Sequence, residues 1–218
     1  MSIDLNTAGK NKTGEQMLTV AIGKGRGFEE SLHFINTSTS EAYGSFARGE
    51  LPVYTDEVNN MRLVKVRNKD LPWLLAKGHI DVAIGSSVWF VEFSQVKLKL
   101  VREFPLLKCR LSVIAPRHLP VSSITSICSK FQTIAKQYIK DKKLNANLLV
   151  MEGCHEVALT LGMSDAIIDI IETGKTIERM KFVEVECIQH ITHGLWIREE
   201  DIGRVEKRIL QKEELRIS

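Results

Sequence analysis

Short apolar runs closed by glycine or turn residues alternate along this chain with segments of helical spacing, and that alternation constrains the fold most. Met17 to Ile22 is an apolar run followed by Gly23, Gly25 and Gly27, after which Phe28, Leu32 and Ile35 recur at helical spacing, as strand, glycine loop and helix require. A polar stretch follows, and Met61 to Arg67 then alternates as a strand. Asp70 stands where it can cap a helix over Leu71 to His79, with Pro72 in the first turn, and Ile80 to Ile84 reads as a buried strand. Leu98 to Glu103 and Cys109 to Ala115 read as two further strands, and Phe131 to Lys142 as an amphipathic helix. Ala146 to Met151 and Ala166 to Ile171 read as strands, each followed by a short helix, over His155 to Leu161 and Thr173 to Arg179. Val183 to Ile197 gives one long strand, or two with a bulge, and Glu199 to Leu215 a charged terminal helix. Such a sequence implies an α/β protein with mostly parallel sheets, which bind ligands at the carboxyl ends of their strands.

Composition narrows the partners. With 30 Lys+Arg against 27 Asp+Glu the net charge is only +3, too little for sequence-independent binding of a nucleic-acid backbone. No apolar run reaches membrane-spanning length, and residues 1–16 are polar, carry Asp4 and Glu15, and lack the apolar centre of a signal peptide. The expectation is a cytoplasmic protein with no membrane partner and a mobile lead-in over residues 1–16. Cys109, Cys128, Cys154 and Cys187 form no CxxC pair and read as reduced, mostly buried thiols. Trp73, Trp89 and Trp196 fall on apolar faces and read as core.

The most informative stretch is Ser164 to Thr176, a buried strand running into a Thr-Gly-x-Thr turn at a helix start. Gly174 lets the backbone come close to a ligand, unpaired amides and the hydroxyls of Thr173 and Thr176 are donors, and Lys175 adds positive charge, all of which suit a phosphate. Asp165 and Asp169 lie four apart in a strand of period two, on one face, where ribose hydroxyls or a magnesium shell could be held. A Walker A loop is excluded because the glycine it needs is Asp169. An ordinary capped turn suits the same composition. Gly23-Lys-Gly-Arg-Gly27 is a second glycine loop between strand and helix, with Lys24 and Arg26 as anion ligands or as solvated charges of a flexible turn. In Glu152 to Glu156, Glu156 could face a ligand. Cys154 and His155 do not make a nucleophile pair, because adjacent side chains on a helix do not face each other. The other histidines show no metal-binding spacing.

In order along the chain, these segments resemble ATP phosphoribosyltransferase in its short, catalytic-subunit form, the first enzyme of histidine biosynthesis. Lys24-Gly-Arg26 is similar to that family's amino-terminal loop. Val66 to Pro72, with Arg67 and Asp70, followed by Gly78 and Asp81 to Ile84, looks like its Arg-x-x-Asp-Ile-Pro and Asp-Leu-Gly-Ile elements. Cys109 to Pro116 resembles its strand into the second domain, and Ser129-Lys130 with Tyr138 its Thr-Lys-Tyr-Pro helix start. Gly153 to Glu156, Leu161 to Asp169 and Glu172 to Thr176 look like its phosphoribosyl pyrophosphate signature. The sequence departs from the family at Gly23, where a proline is usual, and over Gly85 to Phe90, where a Val-Gly-x-Asp loop is usual.

The resemblance implies two α/β lobes of periplasmic-binding-protein type with a cleft between them, residues 17–103 plus 183–218 forming one and 104–182 the other. It implies a glycosyltransferase that condenses ATP with phosphoribosyl pyrophosphate, with Mg2+ on the leaving pyrophosphate and no metal ligand set from the protein. Lys24, Arg26 and Asp169 would be catalytic. Asp165, Asp169, Glu172, Thr173, Gly174, Lys175 and Thr176 would hold phosphoribosyl pyrophosphate, and Arg67, Asp70, Lys130 and Glu156 the nucleotide or pyrophosphate. The implied assembly is a homodimer within a hetero-oligomer containing a histidyl-tRNA-synthetase-like regulatory subunit. A paralogue using another acceptor, or a two-lobed binding module without chemistry, would share the same architecture.

Overall fold

A computed structural model of the chain describes residues 16–25, 27–35, 40–93 and 97–209. The expected lead-in falls outside these residues apart from Gln16, as do Arg26 and residues 210–215 of the expected terminal helix. The elements are β1 (Leu18–Gly23), α1 (Phe28–Ile35), α2 (Glu41–Ala47), β2 (Val53–Asp56), β3 (Met61–Val66), α3 (Leu71–Ala76), β4 (Val82–Ser86), α4 (Ser87–Phe93) and β5 (Leu98–Pro116). They continue with β6 (Ser126–Ser129), α5 (Gln132–Asp141), β7 (Asn147–Val150), α6 (His155–Thr160), β8 (Ala166–Ile171), α7 (Lys175–Arg179), β9 (Phe182–Arg198) and α8 (Ile202–Ile209). The chain divides into a first unit of residues 1–90, 94–106 and 193–218 and a second of 91–93 and 107–192. It passes between them within two long strands, β5 and β9. Their continuity explains why the division falls at 106 and 193 rather than at the expected 103 and 183: no turn marks either place.

In the first unit the strand order is β2-β3-β1-β4-β9. The centre is parallel, β1 pairing with β3 and β4, while β2 and β9 run antiparallel at the flanks. β1 is apolar throughout because both its faces are covered. Leu18, Val20 and Ile22 pack with Phe28, Leu32 and Phe46, and Ala21 faces Leu71, Leu75 and Phe90 on the other side. α2 and β2 occupy the stretch that reads as merely polar. Each is short and buries few side chains, Phe46 on α2 and Tyr54 and Asp56 on β2, too few to show a period. α2 begins at Ser40, whose Oγ accepts from the Tyr43 N–H at 3.1 Å.

Asp70 does not cap α3. Residues Asn68–Asp70 form a 3-10 turn leading directly into the helix, so Asp70 already has helical backbone (φ −88°, ψ −19°) and makes no capping bond. At the other end of the chain, Arg198 donates to the Leu75 carbonyl at 2.6 Å and the Ile80 carbonyl at 2.9 Å. It also pairs with Asp201, which with Arg204 and Asp81 ties the start of α8 to the sheet.

The second unit has the order β5-β8-β6-β7, in which β8, β6 and β7 are parallel and β5 is antiparallel to β8. Ile114, Cys128, Ala158, Leu159, Ile167 and Ile171 form its core. Arg110 grips Glu184 with two nitrogens, at 2.6 and 2.5 Å, and Ser112 donates to the same carboxylate. β5 is one strand of 19 residues where two were expected, since residues 104–108 are also extended. β6 escapes the sequence reading because Ser126 and Ser129 hide its apolar centre.

Two expectations about single residues are corrected. Cys109 and Cys128 are buried, but Cys154 and Cys187 are exposed, one at a helix start and one on β9. Trp73 is 47% exposed, on the outer face of α3 beside His79, while Trp196 stacks on Phe90 with ring centres 4.2 Å apart. Among the described residues no helix is long and apolar enough to cross a membrane.

Candidate functional site

In each unit three neighbouring parallel strands end at one sheet edge, the place where such sheets bind ligands. In the second unit β7, β6 and β8 deliver the segments beginning at Met151, Lys130 and Glu172. In the first, β3, β1 and β4 deliver those beginning at Arg67, Lys24 and Ser87.

Asp169 is the centre of the second unit's edge. Its Oδ1 accepts from the Ile170 N–H at 2.8 Å and lies 3.7 Å from Lys130 Nζ, and its Oδ2 is 2.8 Å from His155 Nδ1. The His155 side chain is wholly buried, and its other nitrogen, Nε2, lies 2.9 Å from the Met151 carbonyl. Both ring nitrogens face acceptors, so both carry hydrogen and the ring is an imidazolium. Burial opposes that charge, but the hydrogen bond to Asp169, its negative charge and the Met151 carbonyl outweigh it and raise the His155 pKa. Burial likewise opposes the Asp169 carboxylate, and the His155 hydrogen bond, Lys130 and the Ile170 N–H outweigh it and lower that pKa. His155 reaches this position because Cys154, in left-handed backbone at φ +53°, turns the chain into α6.

Asp165 does not join this group. It precedes β8, roughly 13 Å along the strand from Asp169 at 3.3 Å per residue. Its Oδ2 is occupied by the Thr125 N–H (2.8 Å), the Thr125 hydroxyl (2.7 Å) and the Ser126 N–H (3.0 Å). These hydrogen bonds lower its pKa, and it fastens the start of β6 to β8 instead of facing a ligand. The shared-face reading places both residues in one strand, but Asp165 lies just before β8.

Beyond β8, Gly174 takes φ +77°, a conformation other residues resist, and turns the chain into α7. Glu172, Thr173, Lys175 and Thr176 are exposed around it. Glu156 is half-buried in the first turn of α6. At the start of α5, the amides of Thr133 and Ile134 are already taken by the Glu92 carboxylate at 2.8 and 3.0 Å, so this helix start does not offer them to a phosphate.

In the first unit, the Lys24 N–H donates to the Val66 carbonyl at 2.7 Å, and the side chains of Lys24, Arg67 and Asp70 are exposed. Asn68 joins two of the loops. Its Nδ2 donates to the Lys24 carbonyl at 2.9 Å, and its Oδ1 accepts from the Ser86 N–H at 3.2 Å. Beneath the glycine loop, the Ser31 hydroxyl donates to the Gly27 carbonyl at 2.5 Å and accepts from His193 Nε2, 3.0 Å away. That bond fixes the His193 tautomer, and burial holds its pKa below the ordinary value, so the ring is neutral.

His155, Asn68 and His193 are the polar residues that sequence reasoning missed. His155 and Asp169 stand 14 positions apart on different elements, and only the packing of α6 against β8 brings them together. Asn68 carried a signal, its place directly after a strand and next to Arg67.

Glycine turns and exposed cations at one sheet edge, with a charged carboxylate hub at another, place this chain among α/β proteins whose strand ends carry the donors and charge that suit a phosphorylated ligand. The family model for ATP phosphoribosyltransferase matches residues 67–215, and the chain belongs to that family, the one its sequence motifs resemble. The chain is 28% identical over 189 residues to the ATP phosphoribosyltransferase of Albidiferax ferrireducens, covering 84% of this chain and 89% of that one. Among solved structures it is similar to the ATP phosphoribosyl transferase (HisG:HisZ) complex from Thermotoga maritima. The TM-score is 0.76 at 20% identity, covering 91% of this chain and 96% of that one. A histidine kinase sensor domain with similarity to periplasmic binding proteins matches with a TM-score of 0.51 at 13% identity, over 95% and 91% of the two chains. The fold is α/β of periplasmic-binding-protein type.

Proposed function

We propose that this ATP phosphoribosyltransferase holds the phosphoribosyl group at the sheet edge of its second unit and attends the nucleotide and pyrophosphate with the loops of its first. The observation that carries this is the hub at Asp169, a carboxylate kept ionised at the carboxyl end of β8, immediately before the Glu172 to Thr176 loop. In the reaction N1 of adenine attacks the anomeric carbon, the bond to pyrophosphate breaks with its electrons leaving on the phosphate oxygen, and N1-(5-phosphoribosyl)-ATP forms. No covalent enzyme intermediate is involved, so the work of the protein is positioning and stabilisation of the departing charge.

Thr173, Gly174, Lys175 and Thr176 suit the 5-phosphate, and Asp169 and Glu172 the ribose hydroxyls. Lys24, Arg67 and Lys130, with Arg26 of the same loop as Lys24, supply positive charge for the polyphosphates. Asp70 and Glu156 complete the polar lining. Among the described residues no three of His, Cys, Asp or Glu converge to hold a metal ion, and Asp169 is committed to His155, Ile170 and Lys130. These residues do not fit a protein-held cage. Magnesium instead suits the substrate's own pyrophosphate oxygens.

Full-length chain mixed with phosphoribosyl pyrophosphate and magnesium should release pyrophosphate only when ATP is added. Release with a different acceptor, and none with ATP, would overturn the reading. The proposed assembly is a cytosolic homodimer joined by a histidyl-tRNA-synthetase-like subunit, and similarity to a chain solved in a HisG:HisZ complex supports the second kind of subunit. Co-expression followed by light scattering should show the added mass, and an unchanged dimer would reject the partner.

A further inference from the structure

We propose that Asn68 is a positioning residue that sets the spacing of the acceptor-side loops, by clamping the glycine loop after β1 to the last residue of β4, Ser86. Its amide uses both ends for this purpose, Nδ2 donating to the Lys24 carbonyl at 2.9 Å and Oδ1 accepting from the Ser86 N–H at 3.2 Å. The two contacts reach 44 residues back and 18 residues forward along the chain, so one side chain links three strand ends. The space it fills is made by two glycines. A Cβ on Gly23 would lie 2.3 Å from Asn68 Oδ1, and one on Gly85 would lie 2.7 Å from the same atom and 2.4 Å from Leu71 Cδ1. Neither glycine has positive φ, so what a side chain would contest there is space: on Gly23 it would displace the Asn68 amide, and on Gly85 both Leu71 and Asn68.

Two small residues and the amide between them thus form one arrangement. Only an uncharged side chain that both donates and accepts can serve, because one target is a carbonyl and the other an N–H. Asn68 also follows Arg67 directly and holds the backbone of Lys24, two of the cations assigned to the polyphosphates. This inference rests on that assignment.

The test uses the full chain with two variants, Asn68→Ala and Asn68→Asp. The aspartate keeps the volume and can still accept from Ser86, but it cannot donate to the Lys24 carbonyl. In both variants kcat should fall roughly 10- to 100-fold, the scale of a misplaced catalytic loop. The affinity for phosphoribosyl pyrophosphate by calorimetry should stay within about twofold and the folded state should persist, a split that general loss of structure would not produce. Wild-type kcat in either folded variant, or a proportional loss of affinity for both substrates, would overturn the inference. Lys24→Ala, measured alongside, separates the two layers. If it is inactive while both Asn68 variants are normal, only the clamp is wrong. If Lys24→Ala has wild-type kinetics, the assignment of the loop falls and the clamp with it.

Discussion

In the second unit the segments after β6 and β7 are joined to β8 by charge, Lys130 and His155 both pairing with Asp169. In the first unit the loops after β1 and β3 and the end of β4 are joined by a neutral amide seated between two glycines. The two edges have the same strand arrangement and opposite sensitivities. A charged hub keeps a carboxylate ionised in partial burial, at the cost of desolvating its partners, and so depends on pH. A neutral clamp is indifferent to pH and intolerant of volume. A phosphoribosyl group with hydroxyls to be oriented suits the first device, and a loop whose backbone spacing matters suits the second.

The largest effect should come from breaking the hub. Asp169→Asn should lower turnover by roughly 100-fold or more through misplacement of the ribose. It should also cost roughly 1.5–3 kcal/mol of stability, the scale of a hydrogen bond to a charged group, because His155 loses its counter-charge. Steady-state kinetics with urea denaturation reads both, and a variant with unchanged turnover would make the carboxylate structural only. Next in size, Thr173→Ala combined with Thr176→Ala should weaken phosphoribosyl pyrophosphate by roughly 1–3 kcal/mol. Unchanged affinity in the folded double variant would remove that loop from the site.

The contrast in charge predicts a contrast in pH dependence. His155 is held above its ordinary 6.5, so its contribution to stability is complete below that value and is lost as pH rises through the raised one. Asp169 is held below its ordinary 3.8, so its contribution is complete above that value and is lost as pH falls through the lowered one. The hub therefore stabilises most between these limits. Urea midpoints measured across about pH 4 to 9 should fall on the alkaline side in the wild type, and this fall should shrink in His155→Leu. An identical profile in that variant would mean that His155 is neutral. The smallest effect is expected at Glu92→Gln, which weakens the carboxylate at the start of α5 by about 0.5–1 kcal/mol. Activity should be nearly unchanged, since Glu92 contacts backbone amides of that helix start rather than any candidate ligand group.

Much of this arrangement is legible in the sequence. β1, β8 and the glycines after them are apolar runs with turn chemistry at their ends, and of the two readings of Val183 to Ile197 the single long strand is the one found, as β9. The residues that fail to announce themselves are those whose roles depend on register or on distant packing. β2 and β6 are too short to show a period, and Asp165 lies before β8, bonded to Thr125 and Ser126, while Asp169 lies within the strand. The order of the motifs identifies the family. It does not show that His155 is an imidazolium, because that depends on the carbonyl of Met151 and the carboxylate of Asp169 meeting one ring from opposite sides.

Hydrogen exchange on the full-length chain, with each substrate added alone, tests the division of labour most directly. Phosphoribosyl pyrophosphate should slow exchange over residues 172–176, and ATP should slow it at residues 24–25 and 86–87. Protection by phosphoribosyl pyrophosphate confined to the first unit, with residues 172–176 unaffected, would contradict the account.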